Sequence, residues 1–154
     1  MKMMPVLAAL AVLLLAGYAY AGNFTDNGNG TVTDNTTGLT WQKCSAGQNN
    51  DAACSGTAQT YEWWQAYSYC KGLSLAGYRY GWRLPNIKEL ESIVDLTAFN
   101  PTINTTYFPN TQTNFYQSSS TDYDGSSDVW AVYFYHGVTT YLPKTLPAYV
   151  RCVR

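Results

Sequence analysis

The chain has 154 residues, of which 12% are charged and 16% are aromatic, and its formal net charge at pH 7 is −1. Its basic residues are few and scattered, so neither a nucleic-acid footprint nor a polybasic membrane patch is predicted. Tyrosine, asparagine, threonine, serine and glycine give a neutral, hydrogen-bonding surface, which is typical of extracellular proteins and of adaptable binding surfaces.

The first 21 residues have the composition of a secretory signal peptide. Lys2 precedes an apolar run over residues 6–16, and small residues lie before Ala21 at the positions that a signal peptidase reads. The run is shorter than the roughly 20 residues of a membrane-spanning helix, although an uncleaved anchor is the alternative. We therefore expect one exported domain over residues 22–154, secreted or at the cell surface, with the periplasm as the alternative location and no membrane embedding after cleavage.

All four cysteines lie in the exported part, and an even number in an oxidising compartment indicates two disulfides. Three pairings can be drawn. We favour Cys44 with Cys54, which closes a short polar loop, and Cys70 with Cys152, which ties a helix to the last strand. The chain-entropy relation gives these bridges about 2.5 to 3 and about 4.5 kcal/mol, respectively. Zinc is the alternative, but the sequence has no CxxC pair to support it.

Residues 23–43 predict a meander of short strands. Apolar anchors such as Phe24 and Trp41 are separated by Asn-Gly and Thr-Gly turn signals. The Asp/Asn/Gly-rich stretch 26–34 superficially resembles a calcium loop, but glycines stand at ligand positions. We interpret it as a hairpin turn.

The first helix is predicted over residues 61–74, with Thr60 as its N-cap. Trp63 and Cys70 belong to an apolar stripe of helical spacing in this segment. We interpret the adjacent Trp63 and Trp64 as core residues rather than as a ligand platform.

A second helix is predicted to begin at Ile87. Pro85 stops the preceding extended segment, and Asn86 is a favourable N-cap. Glu89 lies three residues beyond Asn86, so its side chain can reach back to the Asn86 amide as in a capping box. The helix is expected to end before Pro101, and we interpret this stretch as architectural rather than as a binding site.

The last third of the chain is rich in valine and aromatic residues, which favours strands. Strands are predicted over residues 115–119, 129–135, 138–142 and 148–153. His136 and Gly137 are expected to form a tight hairpin between the middle two strands.

Three carboxylates lie between the first two of these strands. Asp122, Asp124 and Asp128 could gather around a hard cation, so calcium is left open as a ligand. The ligand set is incomplete by sequence, and a solvated turn is the simpler interpretation.

Motifs spread over the exported part occur in the order of a known bacterial family. They are DNGNGTVTD at 26–34, TGLTW at 37–41, GWRLPNIKEL at 81–90, FPNT at 108–111, SSS at 118–120 and YVRCVR at 149–154. With them the chain resembles the Lcl C-terminal domain family, named for the terminal domain of a collagen-like adhesin. Gln117 stands where that family usually has tryptophan.

The resemblance implies a fold and a type of function. The Arg-Leu-Pro segment before a Glu-bearing helix is also similar to formylglycine-generating enzymes, and both groups are similar in fold to C-type lectins. A compact α+β, C-type-lectin-like domain is therefore implied, with two helices flanking small antiparallel sheets, neighbouring termini and a helix-to-last-strand disulfide. This agrees with pairing Cys70 and Cys152. The best-studied member is implied to bind host glycosaminoglycans as a trimer, whereas lysine and arginine do not cluster here.

The first class of function that we expect is an exported, non-catalytic binding or adhesion module for a glycan or a protein surface. Aromatic side chains offer rigid contact area, and their polar neighbours supply directional hydrogen bonds. The candidate contact residues are Tyr116, Gln117, Tyr123, Tyr133, Tyr135, His136 and Tyr141. By strand alternation, half of them are expected to be core residues. A homo-oligomer is left open, and a structural subunit of an extracellular assembly is the alternative.

The second class is an enzyme resembling the formylglycine-generating group. That chemistry needs reactive cysteines or a copper-binding cysteine pair, whereas every cysteine here has a structural partner in the favoured pairing. The sequence has neither a nucleophile elbow nor a histidine cluster, and its one histidine is His136. We therefore expect no enzymatic activity, no nucleic-acid partner and no cofactor apart from the calcium left open above.

Overall fold

The computed structural model describes residues 22–123 and 127–154, so the predicted signal peptide lies outside the described residues. The described residues form an α+β fold, as predicted. Its helices and strands are β1 (Phe24–Asp26), β2 (Thr31–Asp34), β3 (Thr40–Gln42), β4 (Thr60–Tyr61), α1 (Trp63–Gly72), α2 (Ile87–Ser92), β5 (Phe115–Thr121), β6 (Asp128–Tyr133), β7 (Val138–Pro143) and β8 (Ala148–Tyr149). Neither of these helices has the length and apolar character that crossing a membrane requires.

The first sheet is the predicted meander. Its three antiparallel strands are ordered β1-β2-β3, and the buried Val32 and Trp41 lie directly opposite each other. In the turn after β1, the Asp26 carboxylate accepts hydrogen bonds from Lys43 Nζ at 2.7 Å and from the Gly28 amide at 3.0 Å. The bond from Lys43 is the main cause that lowers the pKa of Asp26. The stretch that superficially resembles a calcium loop is therefore a hairpin turn here.

The second sheet has five strands in the order β4-β8-β5-β6-β7. It is mixed rather than purely antiparallel, because β8 runs parallel to β5. The two helices cover opposite faces. Trp63 of α1 packs against a cluster that contains Ala131, whereas Leu90 of α2 packs in a cluster with Val132. Because consecutive residues of a strand point to opposite faces, each face of the sheet is covered in part by one of the helices.

The predicted start of the first helix is wrong by two residues. Thr60 and Tyr61 pair with Tyr149 and Ala148 as β4, so they are not available to the helix. Glu62 is the N-cap instead, and its amide donates to Gln65 Oε1 at 3.0 Å.

The capping box of the second helix is confirmed. The Glu89 amide donates to Asn86 Oδ1 at 2.9 Å, and the Asn86 amide donates to Glu89 Oε2 at 2.8 Å. The helix begins at Ile87 as predicted and ends at Ser92. Arg83 adds a two-pronged contact to the same carboxylate, with nitrogen–oxygen distances of 2.7 and 2.6 Å. This ion pair joins the extended segment before Pro85 to the helix that follows it.

Glu89 is expected to contribute to stability in a pH-dependent way. Hydrogen bonds from Arg83 are the main cause that lowers the pKa of Glu89 below its ordinary 4.5. A carboxyl with a lowered folded-state pKa stabilises the fold fully above its unfolded-state pKa, and this stabilisation is lost as the pH falls through the folded-state pKa. Glu89→Gln keeps the capping-box geometry and removes the charge. We expect it to cost no more than about 1 kcal/mol at pH 7 and to flatten the decline of stability below about pH 5.

Urea unfolding of the Glu89→Gln variant at a series of pH values measures this effect. Glu91→Gln is the matched control, because Glu91 pairs with the largely exposed Lys88 and the pair is expected to contribute little. An acid slope identical to that of the wild type would contradict the assignment to Glu89.

Several strand boundaries in the last third differ from the sequence prediction, and the ends of β6 and of the last strand differ for a clear structural reason. Strand β6 ends at Tyr133, two residues early, because residues 134–137 form a four-residue loop closed by a 2.8 Å bond from the Gly137 amide to the Tyr133 carbonyl. The predicted last strand over 148–153 is also wrong. β8 stops at Tyr149, and the chain then crosses to the first sheet, where Val153 bridges to Trp41 and Arg83.

The favoured disulfide pairing is confirmed. Cys44 bonds to Cys54 with a Cα–Cα distance of 5.1 Å, and Cys70 bonds to Cys152 with a Cα–Cα distance of 5.4 Å. The second bridge joins α1 to the segment that crosses between the sheets. All four sulfur atoms lie in fully buried residues.

A buried guanidinium lies in the same crossing segment. Arg151 Nη2 donates to Thr111 Oγ1 at 2.9 Å and to Ser45 Oγ at 3.2 Å, while Nη1 has no hydrogen-bond partner among the described residues. The guanidinium lies 4.7 Å from the centre of the Phe108 ring and 5.8 Å from that of Tyr116. Burial lowers the pKa of Arg151, and the Tyr116 hydroxyl opposes that shift. Arg151 thus connects two loops through hydroxyl groups and ring faces.

Candidate ligand-binding surface

Three of the seven predicted contact residues lie together at the loop between β6 and β7. Tyr133, Tyr135 and His136 are joined there by Phe115 and Phe99, and we call these five residues the aromatic surface. Phe115 stacks on Tyr133 with ring centres 4.4 Å apart, and Tyr133 lies 5.8 Å from Tyr135. Phe99 lies 5.3 Å from Tyr135 and 5.9 Å from His136. The rings therefore form one connected group.

Strand pairing and a tight loop place most of these rings. Phe115 of β5 is the direct partner of Tyr133 of β6, so both side chains lie on the same face of the sheet. Tyr135 and His136 belong to the following loop. That loop depends on Gly137, whose φ is +73° and where an added Cβ would lie 2.8 Å from Val94 Cγ1. The loop is consequently seated close against the chain that follows α2.

Phe99 reaches the surface on a loop that is fastened on both sides. The Thr102 amide and hydroxyl both donate to the Phe134 carbonyl, at 2.7 and 2.6 Å. Before Phe99, the Thr97 amide and hydroxyl donate to Asp95 Oδ1 at 2.9 and 2.6 Å. These bonds hold Phe99 beside Tyr135 although its ring is 65% exposed.

The aromatic surface combines ring faces with neutral polar groups. It contains two phenol hydroxyls and one imidazole, and no carboxylate, ammonium or guanidinium group belongs to it. His136 and Phe99 are exposed, and the other three rings are half-buried. Such a surface offers contact area and hydrogen bonds to an uncharged ligand.

Tyr116 and Gln117 are corrected as contact residues, because both are buried. The Tyr116 hydroxyl lies 2.6 Å from Ser45 Oγ and accepts from the Gln112 amide at 3.0 Å. Gln117 Nε2 donates to the Tyr61 carbonyl at 2.6 Å. Alternation would expose one of two consecutive residues, but α1 and α2 enclose both faces of this part of the sheet. A ligand at the surface therefore cannot reach either side chain.

Tyr141 and Tyr123 are exposed but lie apart from the aromatic surface. Tyr141 pairs with Trp130 across β6 and β7, with ring centres 3.9 Å apart. Trp130 is three residues from Tyr133 on the same strand, so this pair occupies the opposite face of the sheet. Partial desolvation is the main cause that raises the pKa of Tyr141, and the negative charge of Asp122 is the second cause.

The proposed calcium ligands are only partly covered by the structure. The Asp122 amide donates to the Asp128 carbonyl at 3.1 Å, so these two residues are neighbours at the end of the β5–β6 pair. Asp124 lies outside the described residues. Within the described ranges, no three His, Cys, Asp or Glu side chains are grouped closely enough to hold a metal ion. Calcium at this site stays a prediction.

Sequence reasoning missed Phe99 and Phe115. For Phe115 a signal existed, since it begins a predicted strand and alternation places it opposite Tyr116, away from the main core. For Phe99 no local signal exists, because its position depends on Thr102 bonding to Phe134, 32 residues later in the chain.

Comparison with known proteins gives one family. The sequence profile of the Lcl C-terminal domain matches residues 30–154, whereas no curated protein matches the chain. The matched region includes both helices, both disulfides and all five residues of the aromatic surface. It covers well over half of the chain and agrees with the motifs read along the sequence. The chain therefore belongs to the Lcl C-terminal domain family.

Proposed function

We propose that this protein is an exported, non-catalytic binding module that recognises neutral carbohydrate through the aromatic surface. The observation that carries the proposal is the connected group of five rings, accessible to solvent and free of charged groups. Sugar rings present C–H groups that pack on aromatic faces and hydroxyls that bond to neighbouring polar groups. Tyr133, Tyr135 and His136 supply both kinds of contact.

Two parts of this proposal, the extracellular location and the absence of catalysis, are supported by the cysteines and by the composition of residues 1–21. Two disulfides are typical of proteins that leave the reducing cytosol, and residues 1–21 have the composition of a signal peptide. Because all four cysteines are bonded in pairs, no thiol is left for chemistry of the formylglycine-generating type. Both features support an extracellular binding role.

The proposal is tested on a glycan array with the disulfide-bonded protein over residues 22–154. We expect binding to at least one neutral glycan, and we expect Tyr135→Ala to weaken it about tenfold, because a ring that contacts both Phe99 and His136 is removed. Tyr80→Ala is the matched control, since Tyr80 is a tyrosine with 83% exposure outside the aromatic surface. Repeating the array with a calcium chelator tests the calcium prediction separately.

An empty array would contradict carbohydrate recognition, and equal losses in both variants would contradict the assignment to the aromatic surface. The alternative is then a structural subunit of an extracellular assembly. A specific observation favours it, because the exposed aliphatic residues Leu96 and Val138 both lie beside Gly137, which follows His136 of the aromatic surface. Concentration-dependent association in light scattering that is lost in Phe99→Ser would support that alternative.

A further inference from the structure

A second uncharged aromatic region lies at the β4 edge of the five-stranded sheet. It is an open groove of about 680 Å³ between β4 and α1, and we call it the α1 groove. Its lining residues are Thr60, Tyr61, Trp64, Gln65, Ser68 and Tyr69. The α1 groove shares no residue with the aromatic surface, and it is a shallow groove that opens broadly to solvent.

Two tyrosine rings form one wall of the α1 groove and are held in place. The Tyr61 and Tyr69 ring centres are 5.2 Å apart and the rings are tilted by 32°. The Tyr61 hydroxyl donates to Gln59 Oε1 at 3.0 Å, and the Tyr69 hydroxyl accepts from Gln42 Nε2 at 3.1 Å. Burial, and then the proximity of Tyr69, raises the pKa of Tyr61. The Tyr61 side chain therefore stays uncharged at neutral pH.

Trp64 lies on the outward side of the same helix. Consecutive residues of an α-helix point about 100° apart, so Trp63 and Trp64 cannot both face the sheet. Trp63 packs on the sheet and donates from Nε1 to the Ser118 carbonyl at 3.1 Å. Trp64 is 47% exposed and lines the α1 groove, which corrects the interpretation of both tryptophans as core.

Polar groups in the α1 groove have hydrogen-bonding capacity left for a ligand. Gln65 Oε1 is occupied by the Glu62 amide, which fixes the side-chain amide and leaves its Nε2 group as a donor. Ser68 lies one helical turn beyond Trp64 and is exposed. Among the described residues, neither Gln65 Nε2 nor the Ser68 hydroxyl has a hydrogen-bond partner.

We propose that the α1 groove is a second binding site, which takes a neutral oligosaccharide. The ligand class follows from the lining, because three aromatic rings alternate with hydroxyl and amide groups and none of the six residues is an acidic or basic residue. An anionic polymer would find no cation among them. The choice of carbohydrate rests on the proposed function, whereas the site is independent of the aromatic surface. Two sites on one domain would also retain a polysaccharide more strongly than either site alone.

The test compares Trp64→Ala with Tyr67→Ala. Both replace an aromatic residue of α1 that is about half exposed, at 47% and 48%, but Tyr67 contacts Trp63 and does not line the α1 groove. Alanine is the best helix former, so both variants are expected to keep α1. Cellohexaose, maltohexaose and N-acetylchitohexaose are titrated to about 5 mM, which detects millimolar dissociation constants.

Backbone amide NMR shifts give the location of binding, and calorimetry gives the affinity. We expect one of the three sugars to shift the amides of Tyr61 and Gln65, and we expect Trp64→Ala to weaken that interaction about tenfold while Tyr67→Ala does not. The same titration on Tyr135→Ala separates the two sites. If the sugar still shifts the amide signals of Tyr61 and Gln65 in Tyr135→Ala as it does in the wild type, the α1 groove is supported whatever happens at the aromatic surface.

Two outcomes would overturn the second site. One is that none of the three sugars shifts the α1 amides. The other is that Trp64→Ala binds as tightly as the wild type while Tyr135→Ala loses all binding, which would leave the proposed function intact and the α1 groove without a ligand. Circular dichroism of each variant confirms that the fold is retained.

Discussion

Replacing Cys70 and Cys152 together by alanine is expected to lower the free energy of unfolding by about 4.5 kcal/mol. The two cysteines are 82 residues apart in the sequence, so their bond removes much of the conformational freedom of the unfolded chain. In the folded protein both lie in a buried cluster with Trp82, Leu84 and Val150. Losing the bond therefore frees the unfolded chain and also loosens the contact between α1 and the crossing segment.

Urea unfolding of the purified double variant measures this effect. The matched control is the Cys44→Ala, Cys54→Ala double variant, whose cysteines are 10 residues apart and for which the same relation predicts a loss of about 2.7 kcal/mol. Equal losses in the two double variants would contradict the dependence on loop length. A stable Cys70→Ala, Cys152→Ala protein with an unchanged midpoint would show that packing alone holds α1.

Arg151→Ala is expected to cost about 3 kcal/mol, because truncating a large buried side chain leaves a cavity. The cavity would form between Phe108 and Tyr116, and the hydroxyls of Ser45 and Thr111 would lose their donor. A part of the loss is offset, since a buried guanidinium without a carboxylate partner is itself costly to desolvate.

Arg151→Met separates these contributions. Methionine refills much of the volume without a charge, so we expect a loss of about 1 kcal/mol, clearly smaller than for alanine. Chemical unfolding at neutral pH gives both values. If methionine destabilises as much as alanine, the hydrogen bonds to Ser45 and Thr111, rather than packing, carry the contribution of Arg151.

Local signals predicted the parts of the fold that depend on neighbouring residues. The capping box of Asn86 and Glu89 lies within one helical turn, and the meander of the first sheet follows from turn signals between neighbouring strands. Both are confirmed. The end of the last strand depends on partners far away in the sequence. The chain diverges from β8 after Tyr149, because the backbone of Val153 pairs with Trp41 and Arg83 in another part of the fold. Nothing in residues 148–153 alone indicates that crossing.

The candidate contact residues show the same division. Tyr133, Tyr135 and His136 could be named from composition and turn signals, and they do lie together. The prediction that Tyr116 and Gln117 contact a ligand is wrong, because a single strand does not reveal whether one or both faces of its sheet are covered. Placing Phe99 at the surface requires knowledge of tertiary contacts, and placing Trp64 there requires knowledge of how α1 is oriented.

The position of β8 constrains how the protein is made. This strand lies between β4 and β5, and residues 150–154 then bond to residues 40–46. During synthesis from the N-terminus, the five-stranded sheet therefore lacks an interior strand until residues 148–149 have emerged, and the bond from Cys70 waits for Cys152. We therefore expect residues 22–147 not to fold stably until residues 148–149 are available to complete the sheet.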